Sequence, residues 1–218
     1  MPSRMITQIR AELAVLSASA PVLSSSIATE KIYELFVLSC LCRALRSIGA
    51  ILSARDGQGN PTSVLEFRMA PGVIYSPTRD TGFILVELNG KRYEIHHDIR
   101  VLGKSKVLHE LDVCLLDEAE AVRCRQLQIN PAGKRVRFFA ECKFYGSRLP
   151  LQLGREFLGL GREYSLRVKT LISNTGSSEI HQLITTHRCT ENFYVSPASS
   201  ANVRRFIEWL ANELRQVL

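Results

Sequence analysis

Asp112 lies in the run "VLHELDVCLL", residues 107–116, and Glu141 and Lys143 lie in "FFAECKFYG", residues 138–146. Both runs are otherwise apolar and suit pleated, packed strands. Charges set inside such runs need a partner or a metal. Side chains alternate along a strand, so Glu141 and Lys143 share one face while Cys142 turns to the other with Ala140 and Phe144. A buried ion pair is weak evidence for stability. Two carboxylates on neighbouring strands also repel unless something positive stands between them. A hard divalent cation such as Mg²⁺ meets that need, because it prefers oxygen ligands and keeps several waters. One such water can become a nucleophile toward a phosphodiester, and the metal neutralises the charge that develops. Lys143 would then orient the water or hold the attacked phosphate as a point charge. The alternative reading is a structural ion pair between Glu141 and Lys143.

Those residues need two adjacent core strands, and hydrophobic patterning supplies them. Residues 136–145 and 107–116 read as strands, the second apolar on both faces around Asp112, as in a strand covered on both sides. Ahead of them, 29–48 is the clearest helix, with Thr29 as cap, Glu30 in its first turn and Gly49 as its stop. Residues 64–69, 83–88 and 92–97 read as strands, the last two joined by Asn89-Gly90, a strong hairpin signal. A short helix over 117–126 and the turn "NPAGK" at 130–134 lead into the second core strand. A helix near 150–162, strands at 166–173 and 182–186, and a helix near 201–217 complete the order. A short amphipathic helix over 4–17 and the connection "SASAPVLSSS" form an N-terminal segment of about 28 residues. The expected fold is α/β, one domain with a mixed sheet and helices on both faces.

At 218 residues, 45% hydrophobic and 22% charged, the chain has a globular composition. The net charge of +7 keeps an anionic partner in view. That charge is concentrated: from Arg123 to Lys169, eleven basic side chains stand against Glu141, Glu156 and Glu163. The six cysteines lack paired ligand spacing and fit a reduced, cytoplasmic setting. No apolar stretch approaches the ~20 residues of a membrane span. Arg10 and Glu12 spoil the faint likeness of "AELAVLSASAPVL" to a secretion signal. "GLGRE" and "LGKSK" lack Walker spacing, which leaves nucleotide hydrolysis unsupported.

Asp112 followed by Glu141-Cys142-Lys143 on the next strand resembles the PD-(D/E)XK nuclease superfamily, and "LITTHRCTENF" followed by a helix is similar to Mrr-type restriction endonucleases. Leu111 stands where the family often has proline. The resemblance implies a restriction-endonuclease-like fold and a Mg²⁺-dependent endonuclease, with Mn²⁺ as a substitute, that cleaves DNA in restriction or another defence role. It assigns the metal to Asp112, Glu141 and the backbone carbonyl of Cys142, with Lys143 assisting the water. Target choice would fall to a homodimer, to loops 53–63 and 70–82, or to a separate targeting protein. An RNase on the same fold and a catalytically silent module that binds nucleic acid or assembles a complex are the alternatives. The intact triad speaks against a silent module.

Three further features bear on the site. Glu34 falls on the apolar side of helix 29–48, among Val37, Leu38, Leu41, Leu45 and Ile48, so it needs a partner or a proton. In the resembling nucleases a glutamate on the first core helix often approaches the metal; the alternative is an arginine pair or a hydrogen bond to Tyr33 or a backbone group. Arg148, Arg155 and Arg162 recur every seven residues, a stripe that suits either phosphate tracking or a solvated face. His96, His97 and His109 are expected in ordinary hydrogen-bonding roles, since no zinc spacing is present.

Overall fold

Helix α2, Thr29–Ser47, is the pivot of the molecule, and it is buried almost all round. In the computed structural model, which describes residues 2–14, 27–75 and 81–218, helix α1 (Pro2–Leu13) and the last helix, α6 (Ser200–Arg215), both pack against it. Under that cover the polar Ser39 is buried, and it donates its hydroxyl to the Phe36 carbonyl at 2.7 Å. The expected Thr29 cap is displaced: Ala28 takes the capping position and makes no side-chain bond there. Gly49, with φ +95°, ends the helix as its sequence position indicates. Residues 15–17 of the expected first helix, and the connection after it, lie outside the described residues.

A seven-stranded mixed sheet follows in chain order: β1 (Ile51–Arg55), β2 (Phe83–Leu88), β3 (Lys91–Leu102), β4 (Leu108–Asp117), β5 (Val136–Lys143), β6 (Val168–Ser173) and β7 (Thr190–Asn192). β1 to β5 are antiparallel, whereas β5, β6 and β7 run parallel. Asn89 and Gly90 both have positive φ, +51° and +73°, as a two-residue turn between Leu88 and Lys91 requires. Helix α3 (Glu118–Leu127) precedes β5; α4 (Leu151–Glu163) and α5 (Ser178–Thr186) supply the parallel crossovers. Strand alternation splits the core. Val113, Leu115, Phe138, Ala140 and Cys142 pack toward α2, while Cys114, Leu116, Val136 and Phe139 pack with residues of α3, α4 and α5. Five of the six cysteines are buried and all six are free thiols.

Two expected strands are otherwise. Residues 64–69 form no strand, because the free edge of β2 is taken by Ile51–Arg55. Residues 64–72 instead strap the structure: the Gly82 amide donates to the Glu66 carbonyl, and Gly72 exchanges two backbone bonds with β3, its amide donating to the Asp98 carbonyl and its carbonyl accepting from the Arg100 amide. Gly72 meets β3 where that strand outruns β2. Residues 182–186 belong to α5, whose Ser177 cap accepts from the Ile180 amide at 3.4 Å. The β-branched Ile184, Thr185 and Thr186 imitate a strand, but the cap sets the helix.

Candidate metal centre

Sheet register assembles the site. β3 meets β4 through His97↔Val113 and Ile99↔Leu111, which leaves Asp98 facing Asp112 between them. β4 meets β5 through Val113↔Ala140, so the next rung sets Asp112 against Glu141. There a side chain replaces the ladder: the Cys142 amide donates to Asp112 Oδ2 at 2.7 Å. Three carboxylates therefore stand in a row across three adjacent strands. Asp98 and Asp112 are only 0% and 7% exposed, whereas the side chains of Glu141 and Lys143 keep 18% and 26%. The row opens toward solvent at β5.

Residues of one strand direct N–H and C=O toward the same neighbour. The Cys142 amide donates to Asp112 on β4, so its carbonyl points to the β4 side as well. Lys143 Nζ lies 2.7 Å from Glu141 Oε1. The expected ion pair is thus present, and it stands at the mouth of the carboxylate row. Burial pulls the Lys143 pKa down, but Glu141 and Asp112 outweigh it, leaving the ammonium firmly charged.

Glu34 reaches the same cluster from α2. Its Oε2 is 2.9 Å from His97 Nε2, and His97 Nδ1 donates to the Arg68 carbonyl at 2.8 Å. A carbonyl can only accept, so Nδ1 carries hydrogen, and Nε2 is the ring nitrogen that faces Glu34. His97 makes the hydrogen bonds expected of it, but one partner places it among the acids.

Sequence reasoning missed three members. Glu110, two residues before Asp112, joins Asp98 and Asp112 in a group whose carboxylate oxygens lie within 4.8 Å of one another. Glu34, His97 and Asp98 form a second group of the same closeness. Lys31, one turn before Glu34, places Nζ 2.7 Å from Asp98 Oδ1, 2.9 Å from Glu34 Oε2 and 3.8 Å from Glu110 Oε1. Glu94, His96, His97, Asp98 and Arg100 in "YEIHHDIR" were a signal for this, since an eight-residue stretch so charged yet strand-like must bury some of them. Asp98 also has φ +52°, a conformation Asp tolerates and that persists only where its surroundings fix it.

Electrostatics follow from the count. Glu34, Asp98, Glu110, Asp112 and Glu141 face two ammoniums, Lys31 and Lys143, so negative charge is in excess. Burial, then Glu141 and Glu34, push the Asp112 pKa well above the ordinary carboxylate range, against Lys143 and the Cys142 amide. Burial and then Asp98 raise Glu110 to about 7, with Lys31 opposing. The cluster is short of positive charge, and protons fill part of the deficit.

The arginine stripe is only partly assembled. Arg155 and Arg162 lie on α4, exposed and seven residues apart, hence on one side. Arg148 precedes the helix and pairs with Glu179 and the Ser178 hydroxyl of α5. Of the other histidines, His96 bonds Glu94 at 2.8 Å, and Glu94 also receives both terminal nitrogens of Arg125 at 2.6 and 2.8 Å. His109 lies 3.8 Å from Glu163. Two clefts lie apart from the carboxylates. Arg55, Arg92 and Arg125 line one of about 400 Å³, and Lys104, Lys106, Lys134 and Arg135 one of about 490 Å³.

No protein-family model, curated protein or solved structure matches this chain. No helix among the described residues is long and apolar enough to cross a membrane.

Proposed function

We propose that the chain is a Mg²⁺-dependent endonuclease of the PD-(D/E)XK type, with a restriction-endonuclease-like fold, that cleaves phosphodiester bonds in DNA in the cytoplasm. One juxtaposition carries this reading: the β4–β5 register ends at Val113↔Ala140, so Asp112 and Glu141 are the next residues of the two antiparallel strands, and Lys143 pairs with Glu141 at the open end. Asp112 through the oxygen not bound by the Cys142 amide, Glu141, and the Cys142 carbonyl would hold the metal. A hard divalent cation there supplies an acidified water and neutralises charge on a phosphate. Lys143 is placed to orient that water or to hold the phosphate, and its ammonium keeps the proton it needs for either role. Glu34, from α2, adds negative charge behind Asp112 and steadies the cluster through His97. Arg155 and Arg162 offer point charges to the DNA backbone.

Nicking of supercoiled plasmid with Mg²⁺ or Mn²⁺, against EDTA, tests the proposal, with single-stranded RNA in a parallel arm. Metal-dependent nicking supports it. Cleavage of RNA alone moves the assignment to an RNase, and no cleavage of either moves it to a silent binding module.

A further inference from the structure

Lys31 stands where a second cation would stand. Asp98, Glu110 and Asp112 bring carboxylate oxygens within 4.8 Å of one another, close enough to share one ion. Asp98 is fully buried, and its Oδ2 accepts no hydrogen bond. A buried carboxylate oxygen with no N–H donor within hydrogen-bond distance needs positive charge or a proton beside it, since desolvation without compensation is costly; His97 Nδ1 is 3.6 Å away and Glu110 is the neighbouring carboxyl. Its other oxygen, Oδ1, is held by Lys31 Nζ at 2.7 Å, and the same ammonium reaches both oxygens of Glu34 at 2.9 and 3.2 Å. A divalent cation in that place would bind oxygens at roughly 2.0–2.6 Å. The ammonium therefore takes the same oxygens from slightly farther away and with half the charge.

We propose that Lys31 is a built-in occupant of a second cation position formed by Glu34, Asp98 and Glu110, and that it restricts the centre to one divalent ion. Burial alone would discharge this lysine, but Asp98 and Glu34 outweigh it. Tethered by its own helix, the ammonium stands at a fixed, high effective concentration and raises the metal concentration that a competing ion would need. Asp112 borders both positions, and its charge is shared between the ion beside Glu141 and the Lys31 group. The inference rests on the metal centre proposed above, but the two can fail separately.

The test counts Mn²⁺ bound per chain by equilibrium dialysis with electron paramagnetic resonance of the free ion. The wild-type chain is expected to bind one ion and Lys31→Met two. Lys31→Arg, which keeps a cation in place, is expected to stay at one, and Lys31→Met with Asp98→Asn to return to one. If Lys31→Met does not fold, Lys31→Gln serves in its place. Two ions in the wild type, or one in folded Lys31→Met, would overturn the inference. No ion in the wild type with one in Lys31→Met supports the occupancy by Lys31 and sinks the centre at Asp112 and Glu141. No ion in either sinks both.

Discussion

The Cys142 amide and the Asp112 carboxylate, 2.7 Å apart, end the pairing of β4 and β5 with a side chain in place of a carbonyl. That bond commits one oxygen of Asp112 to the neighbouring strand and leaves the other for a cation. It also fixes the direction of the carbonyl of Cys142. The two strands are thus registered by the same group that the proposed chemistry depends on.

Asp112→Asn and Glu141→Gln remove ligand charge without changing shape, so both are expected to lose Mn²⁺ binding beside Lys143 and to lose nicking together. Lys143→Ala should keep the metal yet nick more slowly, by about 10²-fold or more if the lysine orients the water. Calorimetric Mn²⁺ titration alongside plasmid nicking separates these cases. Full nicking in any one purified variant would end the assignment of that residue.

Glu34→Gln replaces a carboxylate that receives Lys31 and faces His97. Its near-identical volume should keep the fold, with a stability change of about 1–3 kcal/mol from the altered hydrogen bonding. Cleavage should fall and the Mg²⁺ concentration for half-maximal rate should rise. A titration that superimposes on the wild type at normal activity would return Glu34 to a purely structural role.

Glu110 titrates at about 7 in the folded chain against an ordinary value of 4.5. Between those values the folded chain binds more protons than the unfolded one, so this group stabilises at low pH and the contribution is lost as pH rises through about 7. Asp112 is displaced the same way, whereas His96, held low by burial, acts in the opposite sense. The difference in Tm between wild type and Glu110→Gln isolates the first effect. Wild type should lose ground to the variant between about pH 5 and about pH 8 without metal. A difference that moves in the other direction contradicts the shift.

Arg155 and Arg162 are exposed on α4 and make no ion pair among the described residues, whereas Arg148 is paired with Glu179. Replacing the first two by Ala should lower the slope of log affinity against log salt by about two, and adding Arg148→Ala should change it little. Binding to all DNA sequences should weaken alike. A slope that does not move in the double variant assigns these arginines to a solvated face.

Local chemistry wrote much of this architecture legibly. The Asn89-Gly90 turn, helix α2 with its Gly49 stop, the two core strands and helix α4 stand where residue types place them. So do Asp112, Glu141 and Lys143, because a charge inside an apolar run is visible without coordinates. Lys31, Asp98 and Glu110 were not visible, since each becomes a neighbour of Asp112 only through the β3–β4 register or the docking of α2. Pairing is a long-range property, and "YEIHHDIR" does not say which of its charges will face the next strand. The strap at 64–69 and helix α5 were misread for a related reason. Apolar or β-branched composition resembles a strand until a free edge or a cap decides otherwise.

The carboxylate row also has a meaning for cooperativity. With Glu34 beside it, the cluster draws on α2, β3, β4 and β5, elements separated along the chain by up to a hundred residues and more, so no supersecondary fragment can contain it. Local fraying at an edge strand or at α1 should leave the row whole, while any event that parts β4 from β5 erases it. Cation affinity is then a reporter of the global transition: it should vanish at the denaturant concentration where the whole sheet melts, and native-state hydrogen exchange of the Cys142 amide should track the same free energy.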